Sequence, residues 1–367
     1  MELNYGWVRR AMTRPDDPEP APGKAQRSRR AVAIWLLCVA AMVAAMVLLG
    51  GATRLTHSGL SMVQWQPLMG VLPPLGQEEW QETFEKYKQY PEYQKLNRGM
   101  SLEEFKGIFY YEYSHRVLGR GISLVFAVPF LVFLLSGRLE RRRLPSLVGL
   151  FLLGGLQGLI GWWMVKSGLV DRPDVSQYRL TVHFGVAVVI LGALIWVALD
   201  LLLPPSSGSR APRVVVRWTW VALALVFLQA LSGGLVAGLD GGFVYNTFPM
   251  MDEHWLPPEL GLLSPWWLNA FENEVTAQFN HRIGAYVTAL VLLALWFKAR
   301  LAPLGPQARL ALHLMLAALV GQLLLGVFTL ILLVPLSLAI LHQGGALVLF
   351  AVVLYALHRL QHEGAAA

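Results

Sequence analysis

Cysteine is nearly absent from this 367-residue chain. The single one, Cys38, excludes an in-chain disulfide framework, a cysteine zinc cage and an iron–sulfur cluster held by this chain alone. Charge is scarce as well. Only 14% of residues are Asp, Glu, Lys or Arg, against roughly 25% in an average soluble domain. With 55% hydrophobic residues, that deficit excludes disorder and argues against an ordinary soluble enzyme. No glycine-rich phosphate loop stands in a strand–turn–helix setting. The Gly-Gly pairs sit inside apolar runs, where close helix packing accounts for them.

What is present is apolar length. Uncharged stretches separate Arg30 from Arg54, Arg120 from Arg138, Arg143 from Lys166, Arg179 from Asp200, Arg217 from Asp240 and Arg282 from Lys298. A last one runs from Leu310 to His358. Crossing a hydrocarbon core of ~30 Å takes about 20 apolar residues. The last run is long enough for two crossings, with Pro335 as the break. The second and sixth spans must borrow the turn before them, which includes His115 and His281. The count is eight transmembrane helices. The first is too long and too late for a simple signal peptide.

Lys and Arg set the expected orientation. With the N-terminus inside, 18 of the 30 fall on inner segments: residues 1–30, 138–143, 210–217, 298–309 and Arg359. Short loops rich in Lys and Arg stay cytoplasmic. Both termini are therefore expected in the cytoplasm, and the long loops at about 54–112 and 240–278 outside. The net charge of +7 is then a topology signal that needs no nucleic-acid partner.

The chain also repeats itself. Leu49-Gly50-Gly51 is matched by Ser232-Gly233-Gly234, and Ser114-His115-Arg116 by Asn280-His281-Arg282. Gly155-Leu156-Gln157 is matched by Val320-Gly321-Gln322, and Val182-His183-Phe184-Gly185 by Leu341-His342-Gln343-Gly344. Four spans per copy give both copies the same orientation, so the repeats are parallel. The fold expected is an all-α integral membrane protein of eight transmembrane helices, in two parallel four-helix-bundle repeats. The expected boundaries are a cytoplasmic segment 1–30, a first half 31–203, a cytoplasmic linker 204–217, a second half 218–360 and a tail 361–367. In the first outer loop, Ser101-Leu102-Glu103-Glu104 reads as a capping box that starts the helix carrying Glu112 and His115. Trp80, Phe84 and Tyr87 recur at helical spacing and describe an amphipathic helix on the membrane or on the bundle.

Of nine histidines, five have ordinary readings: His57 and His254 in outer loops, His358 and His362 at the inner end, and His313 as an interhelical hydrogen-bonding group. His115, His183, His281 and His342 differ. Each lies near the outer end of an even-numbered span, and the repeat pairs 115 with 281 and 183 with 342. Ionisable groups inside a membrane are costly and usually functional. Two imidazoles on facing helices can take both axial positions of a haem iron. Structural zinc wants four ligands, which two histidines per half do not supply. Bis-histidine haem is the reading, one per half. Arg116 and Arg282 follow a ligand at the membrane edge, where they can pair with propionates or simply snorkel. The halves diverge at one place: Glu112-Tyr113-Ser114-His115 faces Gln278-Phe279-Asn280-His281. Positions i and i+3 share a helix face, so a carboxylate stands beside one histidine and an amide beside the other. That suggests chemistry in the first half and electron storage in the second. A structural carboxylate paired with a base is the alternative.

These motifs, with Gly50-Gly51-Ala52-Thr53-Arg54-Leu55-Thr56, Ser58-Gly59-Leu60-Ser61-Met62 and Tyr245-Asn246-Thr247-Phe248-Pro249, resemble the haem A synthase family, in its proteobacterial and mitochondrial branch. The resemblance covers all eight spans. It implies oxidation of the C8 methyl of haem O to a formyl group, giving haem A for cytochrome oxidase. It implies substrate haem between His115 and His183, Glu112 as the catalytic carboxylate, and haem b between His281 and His342. It further implies the bacterial inner membrane, and as partners the lipid bilayer, haem O synthase, oxidase assembly factors and an electron acceptor. A homo-oligomer is compatible with it. An outer-loop cysteine pair found in some members is missing here. Two other classes compete. A cytochrome b-like electron carrier would hold two permanent haems, and a transporter would need a polar path through the bilayer centre.

Overall fold

The computed structural model describes residues 22–63, 72–169, 174–203 and 211–362. Most of the expected N-terminal segment, the first half of the 204–217 linker and most of the tail lie outside the described residues. The chain is all-helical. Among the described residues the only extended pairing is an isolated bridge between Met251 and His254.

Among the described residues eleven α-helices follow in chain order. They are α1 Pro22–Leu55, α2 Gln77–Tyr87, α3 Pro91–Lys95, α4 Leu102–Leu135, α5 Leu144–Gly168, α6 Gln177–Leu202, α7 Arg213–Gly238, α8 Asn269–Glu272, α9 Glu274–Ala299, α10 Pro306–Ile331 and α11 Leu336–His362. Eight of them (α1, α4–α7 and α9–α11) are long and apolar enough to cross a membrane. The shortest of these has 25 residues, about 37 Å at the helical rise and more than a hydrocarbon core needs. Their outward faces are as apolar as their inward ones: Leu131, Val132, Leu152, Leu159, Leu228, Leu290 and Leu324 are all exposed. A belt of that kind suits lipid and would aggregate in water.

Local chemistry sets the ends. Ser101 caps α4 in a closed capping box with Glu104, so the helix runs unbroken from the outer loop through Glu112 and His115. Asn273 accepts from Thr276 N–H and opens α9 just ahead of His281. α10 stops at Ile331. Leu333 and Val334 then take positive φ, 64° and 55°, and Pro335 starts the next helix. Two spans begin earlier than the charge pattern predicts. α1 starts at Pro22, so the last nine residues of the expected N-terminal segment are helical, and α7 starts at Arg213 inside the expected linker.

α1 packs on α4 and α6, while α5 joins α4 to α6. In the same way α7 packs on α9 and α11, while α10 joins α9 to α11. α1, α6, α7 and α11 meet in the middle. There Val32, Leu36, Val39 and Val43 of α1 share a buried core with Val188, Leu191 and Leu194 of α6, and with Leu347, Val353 and Leu357 of α11. Outside the spans, α2 lies on the start of α4. Trp80, Phe84 and Tyr87 close on Phe105 and Phe109, with Tyr87 stacked on Phe105 at 5.0 Å and Trp80 edge-on to Phe109 at 4.9 Å. The amphipathic helix therefore covers the bundle.

Candidate functional site

Each of the four intramembrane histidines rests against a glycine of a neighbouring helix. A Cβ on Gly50 would lie 3.2 Å from His115 Nε2, and one on Gly161 would lie 2.9 Å from His183 Cε1. The second half repeats this, with Gly233 3.3 Å from His281 Cε1 and Gly326 2.8 Å from His342 Cε1. Gly50 and Gly233 are repeat partners, and Gly161 and Gly326 each stand four residues after Gln157 and Gln322. The small residues make room for imidazoles, which is the closer packing that the Gly-rich runs predict.

The His281 and His342 rings face each other with centroids 6.4 Å apart and planes at 87°. Two imidazoles sharing one metal through bonds of about 2 Å, the length seen at zinc, place their centroids about 6 Å apart. Nδ1 of His183 and Nδ1 of His342 are buried without a hydrogen-bond partner. Buried ring nitrogens of that kind call for an explanation. The ring spacing in the second half fits two imidazoles that hold one haem iron.

Glu112 is buried, at 3% exposure, in a cradle built from the first outer motif. Ser61 Oγ donates to its Oε2 at 2.9 Å and Met62 N–H to the same oxygen at 2.6 Å. Its Oε1 accepts from Arg116, one turn further along α4. Arg116 also donates to the Met62 carbonyl at 2.7 Å. Ser58-Gly59-Leu60-Ser61-Met62 thus holds the carboxylate, and the sequence does not single out Ser61 or Met62 for that task. The only advance signal was the motif itself.

The second half builds the same knot without the charge. Gln278, also 3% exposed, donates to the Tyr245 carbonyl at 3.0 Å. Arg282 donates to the carbonyls of Tyr245 and Thr247, both at 2.9 Å, and of Met250 at 3.2 Å. Tyr245-Asn246-Thr247-Phe248-Pro249 supplies the acceptors. Both arginines therefore tie a loop to the helix of a candidate ligand. These carbonyl contacts stand beside the two sequence readings for them, propionate pairing or snorkelling. An ion pair between Arg54 and Asp240, at 3.0 Å, joins the C-terminal end of α1 to the loop after α7.

A second buried carboxylate went unnoticed in the sequence. Glu92, in the outer cap, accepts from Tyr87 Oη at 2.9 Å, and Asn97 donates to that same hydroxyl at 2.7 Å. Burial pushes Glu92 up to about 8; Glu112 and Asp174 push it the same way, and the Tyr87 bond opposes them.

The remaining histidines mostly keep their ordinary readings. His313 Nδ1 accepts from Trp296 Nε1 at 3.2 Å, an interhelical bond. His358 is more than an end residue. Fully buried, it lies edge-on to Trp196 and bonds Asp200 Oδ1 at 3.0 Å. Arg143 takes the other Asp200 oxygen at 2.6 Å.

Eight helices long and apolar enough to cross a membrane define a multi-pass membrane protein, and four histidines lie in them at positions the sequence repeat matches in pairs. The comparisons specify it further. The profile of the COX15-CtaA family, described as cytochrome oxidase assembly protein, matches residues 33–354. The chain belongs to that family. It is 53% identical over 337 residues to the haem A synthase of Nitrosospira multiformis, covering 91% of this chain and 95% of that one. Identity to the haem A synthase of Nitrosomonas eutropha is 47% over 346 residues, 94% and 97% of the two chains. With that of Parvibaculum lavamentivorans it is 47% over 337 residues, 92% and 96%.

Proposed function

We propose that this chain is a haem A synthase, a membrane oxidoreductase that converts the C8 methyl of haem O to a formyl group in the bacterial inner membrane. Family membership carries the activity, and the facing His281 and His342 rings are the observation that supports the site. The two halves, 31–203 and 218–360, are read as parallel four-helix repeats with cytoplasmic termini. The second holds a resident haem b through His281 and His342. The first takes the substrate haem between His115 and His183. Haem O synthase, oxidase assembly factors and an electron acceptor are the partners this reading needs.

When bound, haem iron supplies one-electron transfer. The chain's own residues supply position and proton handling. Methyl oxidation releases protons as well as electrons, and Glu112 is the carboxylate placed to take one. Ser61 and the Met62 amide fix its Oε2, leaving Oε1 as the basic atom. Arg116 pairs with that oxygen and also donates to the Met62 carbonyl, a bond it can keep when a proton arrives. A general base of this kind contributes about 10²–10⁴-fold in rate. Gln278 cannot do the same, which assigns the chemistry to the first half.

Pigment extraction from the purified protein tests the reading. Haem b together with haem O or haem A is expected, and His281→Ala or His342→Ala should remove the b-type absorbance while the protein stays in the membrane. Two identical, unmodified haems would favour an electron carrier, and an unchanged spectrum in both variants would defeat the ligand assignment.

A further inference from the structure

Resting on that reading, one half must release its haem and the other must keep it. The structure carries a matching difference around the first histidine of each half. In the second half, Gln229 Nε2 donates to the His281 backbone carbonyl at 2.8 Å and lies 3.1 Å from His281 Nδ1. Ser232 Oγ lies 3.2 Å from the same Nδ1. Gln229 reaches this place only because residue 284 is glycine: a Cβ there would overlap the Gln229 amide oxygen.

The sequence repeat sets Met46 opposite Gln229, Leu49 opposite Ser232 and Leu118 opposite Gly284. Met46 packs its methyl towards Gly119 instead, where a Cβ would lie 2.9 Å from it. All three exchanges go the same way, from polar or small to apolar and large. Neither Met46 nor Leu49 offers a side-chain hydrogen-bond donor, and neither offers an oxygen acceptor.

We propose that Gln229 and Ser232, admitted by Gly284, are positioning residues that lock His281 and make the second half the haem-retaining site. Met46, Leu49 and Leu118 leave His115 without that lock, so the first half exchanges its haem. Ligation through Nε2 leaves the proton on Nδ1, where Ser232 Oγ accepts it. That bond fixes the tautomer and raises the basicity of the ring. Gln229 clamps the backbone that carries the ring. Losing such an outer partner typically weakens metal binding 10–100-fold.

The test uses the haem-loaded, full-length protein in detergent. Three readouts are taken: the midpoint potential of the b-type haem, its electron paramagnetic resonance spectrum, and the rate of haem loss to excess apomyoglobin. Ser232→Ala should raise the potential, because a less basic imidazole stabilises ferric iron less, and Ser232→Thr should restore it. Gln229→Met and Gly284→Ala should shift the resonance spectrum and speed haem b loss about 10-fold or more. The converse triple change, Met46→Gln with Leu49→Ser and Leu118→Gly, should make the first half retain haem O or haem A through purification. Unchanged potential, spectrum and transfer rate in Ser232→Ala and Gln229→Met would overturn the proposal. If Gln229→Met does not accumulate, the Ser232→Ala and Ser232→Thr pair decides alone. His281→Ala separates the two levels: b-type absorbance surviving there refutes the haem assignment itself. Its loss there, with Ser232 and Gln229 variants silent, refutes only the lock.

Discussion

Glu112 and Arg116 form an ion pair one turn apart on α4, and Gln278 and Arg282 occupy the matching positions on α9 with an uncharged amide in place of the carboxylate. Both pairs hold an outer loop, so the loop does not require the charge. That separation makes the carboxylate testable apart from its scaffold. Glu112→Gln can keep its one oxygen towards the Ser61 and Met62 donors, at the cost of the Arg116 bond, and leaves an uncharged amide where the second half also has one. We expect it to fold and keep its b-type spectrum, with haem A formation reduced about 10²–10⁴-fold. Near-normal haem A by pigment chromatography would leave Glu112 a structural role alone.

Glu92 makes the outer cap sensitive to pH. Its carboxyl, ordinarily near 4.5, is raised to about 8 in the folded cap. Between those values the folded cap keeps a proton that the opened chain releases. Stability of the cap therefore falls as pH rises from 4.5 to 8, by at most about 1.4 kcal/mol per pH unit, and levels off above. Amide exchange across residues 77–97 should be faster at pH 8 than at pH 5.5, beyond the intrinsic change. Glu92→Gln should flatten that profile, and an equally steep profile in the variant would exclude Glu92 as its origin.

Asp200 bridges Arg143 and His358 at the opposite end of the bundle from the four paired histidines. Breaking a fully buried pair costs about 3–5 kcal/mol. Asp200 keeps 15% exposure, so Asp200→Asn should cost less, roughly 2 kcal/mol. The expected signs are a lower thermal midpoint in detergent and an unchanged haem spectrum at room temperature. An unaltered midpoint would show that the bridge adds nothing to stability.

The orientation inferred from Lys and Arg can be read by labelling. In a Cys38→Ala background, cysteines placed in 77–97 should react with an impermeant thiol reagent added from outside, and cysteines in 138–143 should not. The reverse pattern would overturn the positive-inside argument.

Spans were the most legible feature of the sequence, because a membrane helix is defined by uninterrupted apolar length, which composition records directly. The Ser101–Glu104 cap, the break at Pro335 and the Trp80–Phe84–Tyr87 face were legible for a related reason: each depends on residues close in sequence. The start of α1 at Pro22 was not, since charged residues continue a helix as readily as they end a span. His358 was read as an end residue because nothing local shows that Asp200, some 158 positions away, arrives at the same depth. The carbonyl partners of Arg116 and Arg282 were not legible, since they belong to loops whose path only the fold decides. Glu92 was hidden among exposed acids of the same loop, and Gln229 inside a run that read only as apolar.

Helix α4 ties the outer cap to the inner chemistry. It extends 34 residues from Leu102 to Leu135, about 51 Å at the helical rise. Its first turns carry Phe105 and Phe109, the floor of the aromatic cap, and the turns below carry Glu112 and His115. The stretch from Phe105 to His115 contains no proline and no break in the helix. A rod of that kind behaves as a lever. Any tilt of the aromatic cap relative to the bundle is therefore passed along one continuous backbone to the turn that carries His115.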